Sequence, residues 1–223
     1  MAPQLAQLVS DRSLLKERAY SEIKEQIQTA KFAPGSFLSE RQLAGLLGMS
    51  KTPIKAALER LQQEGFITVS PQQGIVVRQL SVKEIADQFE LRKALEGYTV
   101  HAVAGKLGDK QIALIERNLR QQHLAATKFA VGRLVELDAE FHLLLCDVFG
   151  NQAIMDCLKQ HLSKMHRVIF QVMSQAPGRL NAAVAEHAAI FDAIQHGKSA
   201  TAVKLVRLHL EYGKRYLLSS GWA

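Results

Sequence analysis

The chain has 223 residues, of which 48% are hydrophobic and 22% charged, a composition that is ordinary for a folded globular protein. It contains no run of about 18 uncharged apolar residues, which excludes a transmembrane helix. The net charge of +7 favours a polyanionic partner only weakly, because residues 1–78 carry +3 of it and the remaining residues +4.

Two cysteines, Cys146 and Cys157, are too few for a disulfide framework. Both lie in apolar, helix-like stretches, which predicts reduced and buried thiols. The first twenty residues lack a basic start followed by an apolar core and a cleavage site, so no secretory signal is expected. Together these features predict a cytoplasmic protein.

A helix is predicted over residues 12–31, where apolar residues recur every four positions: Leu15, Ala19, Ile23 and Ile27. Pro34 and Gly35 then predict a turn. Ser39 begins a short second helix, ERQLAGLLG, and Gln42 three residues later fits a capping box. Gly48 is a natural end for that helix.

The third helix, KTPIKAALERLQQEG, is predicted to start after a cap at Ser50 and to end at Gly65. Pro53 is tolerated because it falls in the first turn. The segments FITVS and GIVVRQL follow, separated by PQQ, and they predict a two-stranded hairpin. Two short helices in succession, followed by a hairpin, indicate a winged helix-turn-helix.

The third helix has one apolar face, formed by Ile54, Ala57, Leu58 and Leu61, which is predicted to point inward. Lys51, Thr52 and Lys55 lie on the opposite side near the helix start, where a recognition helix meets DNA bases. These residue types alone leave open a small domain that binds another protein. The hairpin tip, Gln72–Gly74, favours DNA because it is placed to act as a wing.

The second half is predicted to be entirely helical. Ser81 and Glu84 form a capping box, and about six helices follow. The predicted breaks are Gly108–Asp109, Thr127–Lys128, Gly150–Asn151, Pro177–Gly178 and Gly197–Lys198. The fold class is therefore mainly α, with an N-terminal winged helix-turn-helix and a C-terminal all-α antiparallel helical bundle.

Four polar residues fall on apolar helix faces in this second half. Asp138 and His142 are four positions apart and share a face, and His187 and His209 lie on two later amphipathic helices. A buried carboxylate is costly unless it is paired or binds a metal. The four side chains suit zinc, nickel, iron or manganese, but a histidine on an apolar face is more often a hydrogen-bonded core residue, and the pattern alone leaves that alternative open.

A metal with free coordination positions can also activate water, so a metal-dependent enzyme acting on a small organic acid is the alternative function. The sequence contains no GxSxG, P-loop or HExxH motif. It also offers no further carboxylate placed as a general base. We therefore expect a regulator and not an enzyme.

The run APGSFLSERQLAGLLGMSKTPIKAALERLQQEGFITVSPQQGIVV closely resembles the DNA-binding domain of GntR-type transcriptional regulators. The resemblance implies a reading domain over residues 1–78. Many members carry Arg where this chain has Lys51 and Lys55, which puts more of the base reading on Arg41, because arginine grips guanine with two hydrogen bonds. The implied DNA-contacting residues are Arg41, Ser50, Lys51, Thr52, Lys55 and Gly74.

The stretches FELRKALEG, LDAEFHLLL, EHAAIFDAIQHG and VRLHL resemble the FCD ligand-binding domain of one GntR subgroup, the FadR type. The resemblance implies a linker at 79–82 and an effector-binding and dimerisation domain at 83–223. It also implies that Asp138, His142, His187 and His209 bind a divalent metal. The predicted partners are double-stranded operator DNA and a small organic acid, and the predicted assembly is a homodimer that acts as a repressor.

Two residues are predicted effector contacts within that resemblance. Arg92 suits an acid because a guanidinium pairs well with a carboxylate, although a salt bridge to Glu96 one turn away is equally compatible with the sequence. Asn151 either donates a hydrogen bond to the effector or ends a helix.

Overall fold

The computed structural model describes residues 2–70, 74–176 and 178–219, with side chains described for 13–70, 74–176 and 178–217. The chain divides into two compact units, Met1–Gln79 and Leu80–Ala223. In the described residues, no helix is long and apolar enough to cross a membrane.

The first unit contains three helices and a small sheet. Its elements are α1 (Ala2–Gln28), β1 (Phe37–Leu38), α2 (Glu40–Leu47), α3 (Lys51–Gln63), β2 (Ile67–Ser70) and β3 (Gly74–Val77). The strands pair antiparallel in the order β1-β3-β2. The predicted winged helix-turn-helix is therefore confirmed, but the sheet has three strands instead of two.

The core of this unit is built from the predicted helix faces. Ala19, Ile23 and Ile27 of α1 are buried, and they pack in one cluster with the four apolar residues of α3. Leu15 is an exception, since it is 42% exposed. The predicted bounds of α1 were also wrong: the helix begins at Ala2 and ends at Gln28, shortly before Ala30 takes a left-handed conformation with φ 58°.

The caps of α2 and α3 differ. The hydroxyl of Ser39 accepts a hydrogen bond from the Gln42 backbone N–H at 3.1 Å, as predicted. Ser50 occupies the cap position of α3, but no side-chain cap hydrogen bond is formed there, which corrects the predicted capping role. Gly48 ends α2 in the left-handed region with φ 61°, a conformation that glycine adopts at no steric cost.

The second unit consists of six described helices, as predicted. They are α4 (Val82–Val103), α5 (Asp109–Thr127), α6 (Val131–Phe149), α7 (Gln152–Gln175), α8 (Arg179–Gln195) and α9 (Ser199–Ser219). Ser81 and Glu84 form the predicted capping box at the start of α4. The main core cluster draws buried residues from every one of these helices. Both cysteines are free thiols; Cys146 is buried, whereas Cys157 is only half-buried.

Candidate functional site

The predicted DNA-contacting residues lie at the surface of the first unit. On α3 the inward face is buried, while Lys51, Thr52 and Lys55 are exposed. Arg41 is exposed on α2, and Ser50 is exposed just before α3. The Ser50 hydroxyl forms no cap bond, and it lies at the positive end of the helix dipole, where an anion is favoured.

The wing is described only in part. Gly74 is exposed at the start of β3 and has φ 77°, a conformation that most other residues reach only with strain. Residues 72 and 73 of the predicted tip lie outside the described residues.

The four predicted metal ligands come together inside the second unit. Asp138 and His142 lie on α6, His187 on α8 and His209 on α9, and all four are buried. One potential ligand atom from each lies within 4.8 Å of the others. Nε2 of His187 lies 3.2 Å from Nε2 of His209 and 3.4 Å from a carboxylate oxygen of Asp138. We call these four residues the ligand cluster.

Each imidazole of the ligand cluster has its other ring nitrogen beside an oxygen. Nδ1 of His142 lies 2.7 Å from Oε2 of Glu96, Nδ1 of His187 lies 2.8 Å from Oε1 of Gln122, and Nδ1 of His209 lies 2.6 Å from Oε2 of Glu186. Such outer partners fix the orientation and tautomer of metal-binding histidines. The sequence prediction missed all three as site residues.

The electrostatics of the cluster favour the neutral form of two imidazoles, those of His187 and His209. Burial lowers the pKa of His209, and it lowers that of His187 well below its ordinary value. Burial raises the pKa of Glu186, but hydrogen bonds from His209 and Arg179 outweigh that effect and lower the pKa to about 2. For Glu96, burial is likewise outweighed, here by Arg92 and His142, and its pKa is also about 2. Neutral imidazoles have a lone pair available for a cation.

The residues of the cluster fit a divalent metal. Nε2 of His142 is buried and, across the described parts of the chain, has no hydrogen-bond partner. It lies 4.0 Å from the Asp138 carboxylate. A buried polar atom without a partner is costly, and a metal at the centre of the cluster would satisfy it. Three imidazoles and one carboxylate form a usual ligand set for the transition metals.

A cavity lies beside the ligand cluster, since Asp138 and His209 form part of its wall. Its empty space, counted out into the solvent at its mouth, is about 370 Å³. Arg92 also lines it, is 2% exposed and places Nε 2.6 Å from Oε1 of Glu96. Arg92 therefore combines the two predicted alternatives: it is paired with Glu96 and it faces the cavity.

The structure does not bring Asn151 to this cavity. Asn151 is exposed, and its side chain accepts a hydrogen bond from the Ile154 backbone N–H at 3.1 Å, which caps α7. Asn151 therefore begins α7 as its N-terminal cap, while Gly150 ends α6. The other five histidines also lie outside the ligand cluster.

Two family models match the chain. Residues 15–77 match the gntR family of bacterial regulatory proteins, and residues 87–212 match the FCD domain. The second match covers more than half of the chain. FCD domains bind metals and small-molecule effectors, and GntR regulators bind operator DNA.

Relatives agree over most of the chain. A helix-turn-helix regulator from an unstable DNA locus of Streptomyces ambofaciens is 30% identical over 195 residues, which cover 86% of this chain and 80% of that protein. The transcriptional repressor RspR of Escherichia coli is 25% identical over 199 residues, 88% of this chain and 86% of that protein. A crystal structure of a GntR transcriptional regulator from Rhodococcus sp. RHA1 has the same fold, with a TM-score of 0.80, 19% identity and coverage of 93% of this chain and 99% of that one.

The metal-dependent enzyme considered as an alternative is thereby set aside, because the matching family and the relatives are transcriptional regulators. The chain belongs to the GntR family of DNA-binding transcriptional regulators, in the subgroup that carries an FCD domain.

Proposed function

We propose that this regulator is a homodimeric repressor whose affinity for operator DNA is controlled by a small organic acid bound beside a divalent metal. One observation carries the proposal: a buried cluster of four metal-ligand side chains opens on a cavity lined by a buried arginine, in a chain that has a separate DNA-binding unit.

Within this proposal, Asp138, His142, His187 and His209 hold the metal, which is zinc, nickel, iron or manganese. The metal would supply a positive charge to which a carboxylate can bind. Arg92 orients the acid through its guanidinium, since Nη2 has no hydrogen-bond partner among the described residues. RspR is named as a repressor, and this name supports repression by the present chain as well.

The metal site is tested by elemental analysis of purified protein and by its melting temperature with and without added Zn²⁺ or Ni²⁺. We expect bound metal in the wild-type protein and a rise in melting temperature on loading, because a ligand that binds only the folded state stabilises it. His187→Ala should abolish both. His123→Ala is the matched control, since His123 is exposed on α5 and outside the cluster. A wild-type protein that takes up no metal would contradict the proposal.

For DNA binding, we propose that Arg41 reads bases and that Gly74 shapes the wing. The DNA backbone or nearby bases are contacted by Ser50, Lys51, Thr52 and Lys55. The probe is an operator selected from a random duplex library, compared with unselected DNA. Arg41→Ala should lower the ratio of specific to non-specific affinity. Lys55→Ala should weaken both and reduce the salt slope by about 1. Equal losses on all sequences for Arg41→Ala would refute its assignment.

The proposed homodimer is supported by the general rule that helix-turn-helix proteins read two half-sites of an operator with paired recognition helices. Light scattering of the purified protein should give the mass of two chains, and footprinting should protect two related half-sites. A monomer that binds a single half-site would contradict this part of the proposal.

A further inference from the structure

The cavity beside the ligand cluster has a polar lining, formed by Asp138, His209 and two arginines. Its apolar lining, which we call the apolar side, is formed by Phe89, Ile169, Val172, Met173 and Leu210. Phe89 and Gly213 lie about one helical turn from the polar lining, because Arg92 is three residues from Phe89 on α4 and His209 is four residues from Gly213 on α9. A ligand that fits this lining carries its charge at one end and an apolar body at the other, because an unpaired charge against apolar side chains is costly.

The two arginines, Arg92 and Arg179, differ in how far their charges are already neutralised. Arg179 donates from Nη1 and Nη2 to the two carboxylate oxygens of Glu186, at 2.5 and 2.7 Å. Its guanidinium carbon also lies 4.2 Å from the centre of the Tyr212 ring. Arg92 is paired with Glu96 through Nε, whereas its Nη2 is buried and unpartnered in the described part of the chain. Arg92 therefore offers a buried guanidinium nitrogen that no described residue neutralises, whereas both terminal nitrogens of Arg179 are already bonded to a carboxylate.

The apolar side includes a contact between two helices. Phe89 of α4 is 3% exposed and lies directly against Gly213 of α9. A Cβ atom added at Gly213 would lie 2.9 Å from Cζ of the Phe89 ring, closer than carbon atoms can approach without a shift. The absence of a side chain at Gly213 therefore allows the ring to sit against α9, and the ring forms part of the cavity wall.

From this lining we infer that the effector is a short monocarboxylate with an apolar tail, and not a di- or tricarboxylate, and that Phe89, seated on Gly213, sets the length of the tail. The inference rests on the proposed function, because it assigns the chemical class of the acid at the same site. Its carboxylate is bound at the end of the cavity next to Arg92 and the ligand cluster, and its tail lies against the apolar side.

The charge class is tested by calorimetric titration of the metal-loaded, full-length protein with butanoate and with succinate, which have the same number of carbon atoms. Butanoate should bind at least about tenfold more tightly, because the second carboxylate of succinate would meet apolar side chains. Succinate that binds as tightly as butanoate, or more tightly, overturns the inference while leaving the proposed function intact. If neither these acids nor any other small carboxylate binds, both fail.

The tail length is tested with acetate, butanoate, hexanoate and octanoate. In Gly213→Ala the new methyl group displaces the Phe89 ring, and the preferred acid should become shorter. Phe89→Leu removes part of the wall and should make the preferred acid longer, which keeps the assignment testable if Gly213→Ala does not fold.

The matched control is Gly132→Ala on α6, where a Cβ atom would lie at an ordinary 3.9 Å from the Phe170 ring. The order of affinities in this variant should equal that of the wild-type protein. An order that is unchanged in both Gly213→Ala and Phe89→Leu overturns the role of Phe89. So does a shift towards longer acids in Gly213→Ala.

Discussion

At the scale of single residues, the outer partners of the imidazoles matter as much as the proposed ligands. Glu96 lies beside Nδ1 of His142 and is also paired with Arg92. This one carboxylate therefore orients a proposed metal ligand and a proposed effector contact. A change at Glu96 should therefore affect both metal binding at His142 and effector binding at Arg92.

Glu96→Gln should weaken metal binding by about 10- to 100-fold, the usual effect of losing an outer-shell partner. The amide keeps the shape of the side chain but removes the charge that holds the His142 ring. Competition with a chromogenic chelator measures the affinity. The control is Glu116→Gln, an exposed change on α5, which should leave the metal affinity unchanged. An unchanged metal affinity in Glu96→Gln would show that the contact between Glu96 and His142 does not tune the site.

In the first unit, Glu64 joins α3 to α1. It accepts hydrogen bonds from the Tyr20 hydroxyl at 2.8 Å and the Lys24 ammonium at 2.9 Å. Burial raises its pKa, but the hydrogen bonds from Lys24 and Tyr20 outweigh burial, so the pKa is below the ordinary 4.5. The stabilisation that the charged Glu64 contributes is therefore complete at pH values above its ordinary pKa. It is lost as the pH falls through the lowered pKa of the folded state.

Glu64→Gln should therefore lower the free energy of unfolding by roughly 1–3 kcal/mol at neutral pH. The difference from the wild-type protein should shrink as the pH is lowered from about 5 towards 3. Urea titrations over this range measure it. Glu59→Gln, on the exposed side of the same helix, should have little effect at any pH. A difference that stays constant with pH would mean that the charge of Glu64 does not contribute.

The sequence was sufficient to predict the ligand cluster but not its surroundings. Asp138 and His142 share a helix face by their spacing, and His187 and His209 lie on apolar faces of later helices. The family resemblance then selected these four as the ligand set. Glu96, Gln122 and Glu186 could not be found in this way, because charged and amide side chains on helices are common and only tertiary packing selects these three. Asn151 was assigned to the effector from the resemblance, whereas its own position before a helix favoured the capping role that the structure shows.

At the scale of elements, α2 and α3 offer a natural comparison of two serine caps. The Ser39 hydroxyl accepts a backbone hydrogen bond, and the Ser50 hydroxyl does not. Ser39→Ala should destabilise the first unit by about 1 kcal/mol, whereas Ser50→Ala should cost much less stability but weaken DNA binding. Thermal unfolding and operator titration measure the two effects. Equal stability losses in the two variants would contradict the assignment.

The helices were predicted better than the sheet because a helical sequence pattern extends over more residues than a strand pattern. Gly108, Gly150 and Gly197 mark helix boundaries that the structure confirms. β1 was missed because two residues, Phe37 and Leu38, are too few to show an alternating pattern, and only pairing with β3 defines them. The start of α1 was placed too late because the apolar spacing used to find it begins at Leu15.

At the scale of the whole molecule, one chain joins a DNA-binding unit to an effector-binding domain. If an acid changes the affinity for the operator, the operator must change the affinity for the acid by the same factor. We expect a factor of about 5–150, the usual range of such coupling. One factor is the ratio of acid affinities with and without operator DNA, measured by calorimetric titration. The other is the ratio of operator affinities with and without the acid, and the two ratios should be equal. Equal acid affinities with and without operator would exclude coupling.

The ligand cluster joins α6 to α8 and α9, and the whole of α7 lies between α6 and α8 along the sequence. One ion held there would crosslink these segments, and the chain could not open in this region without releasing it. Metal starvation would then loosen the sensor itself and expose it to proteases. A cell short of metal would lose this regulator by degradation, and the genes under its control would respond to scarcity of the ion as well as to the acid.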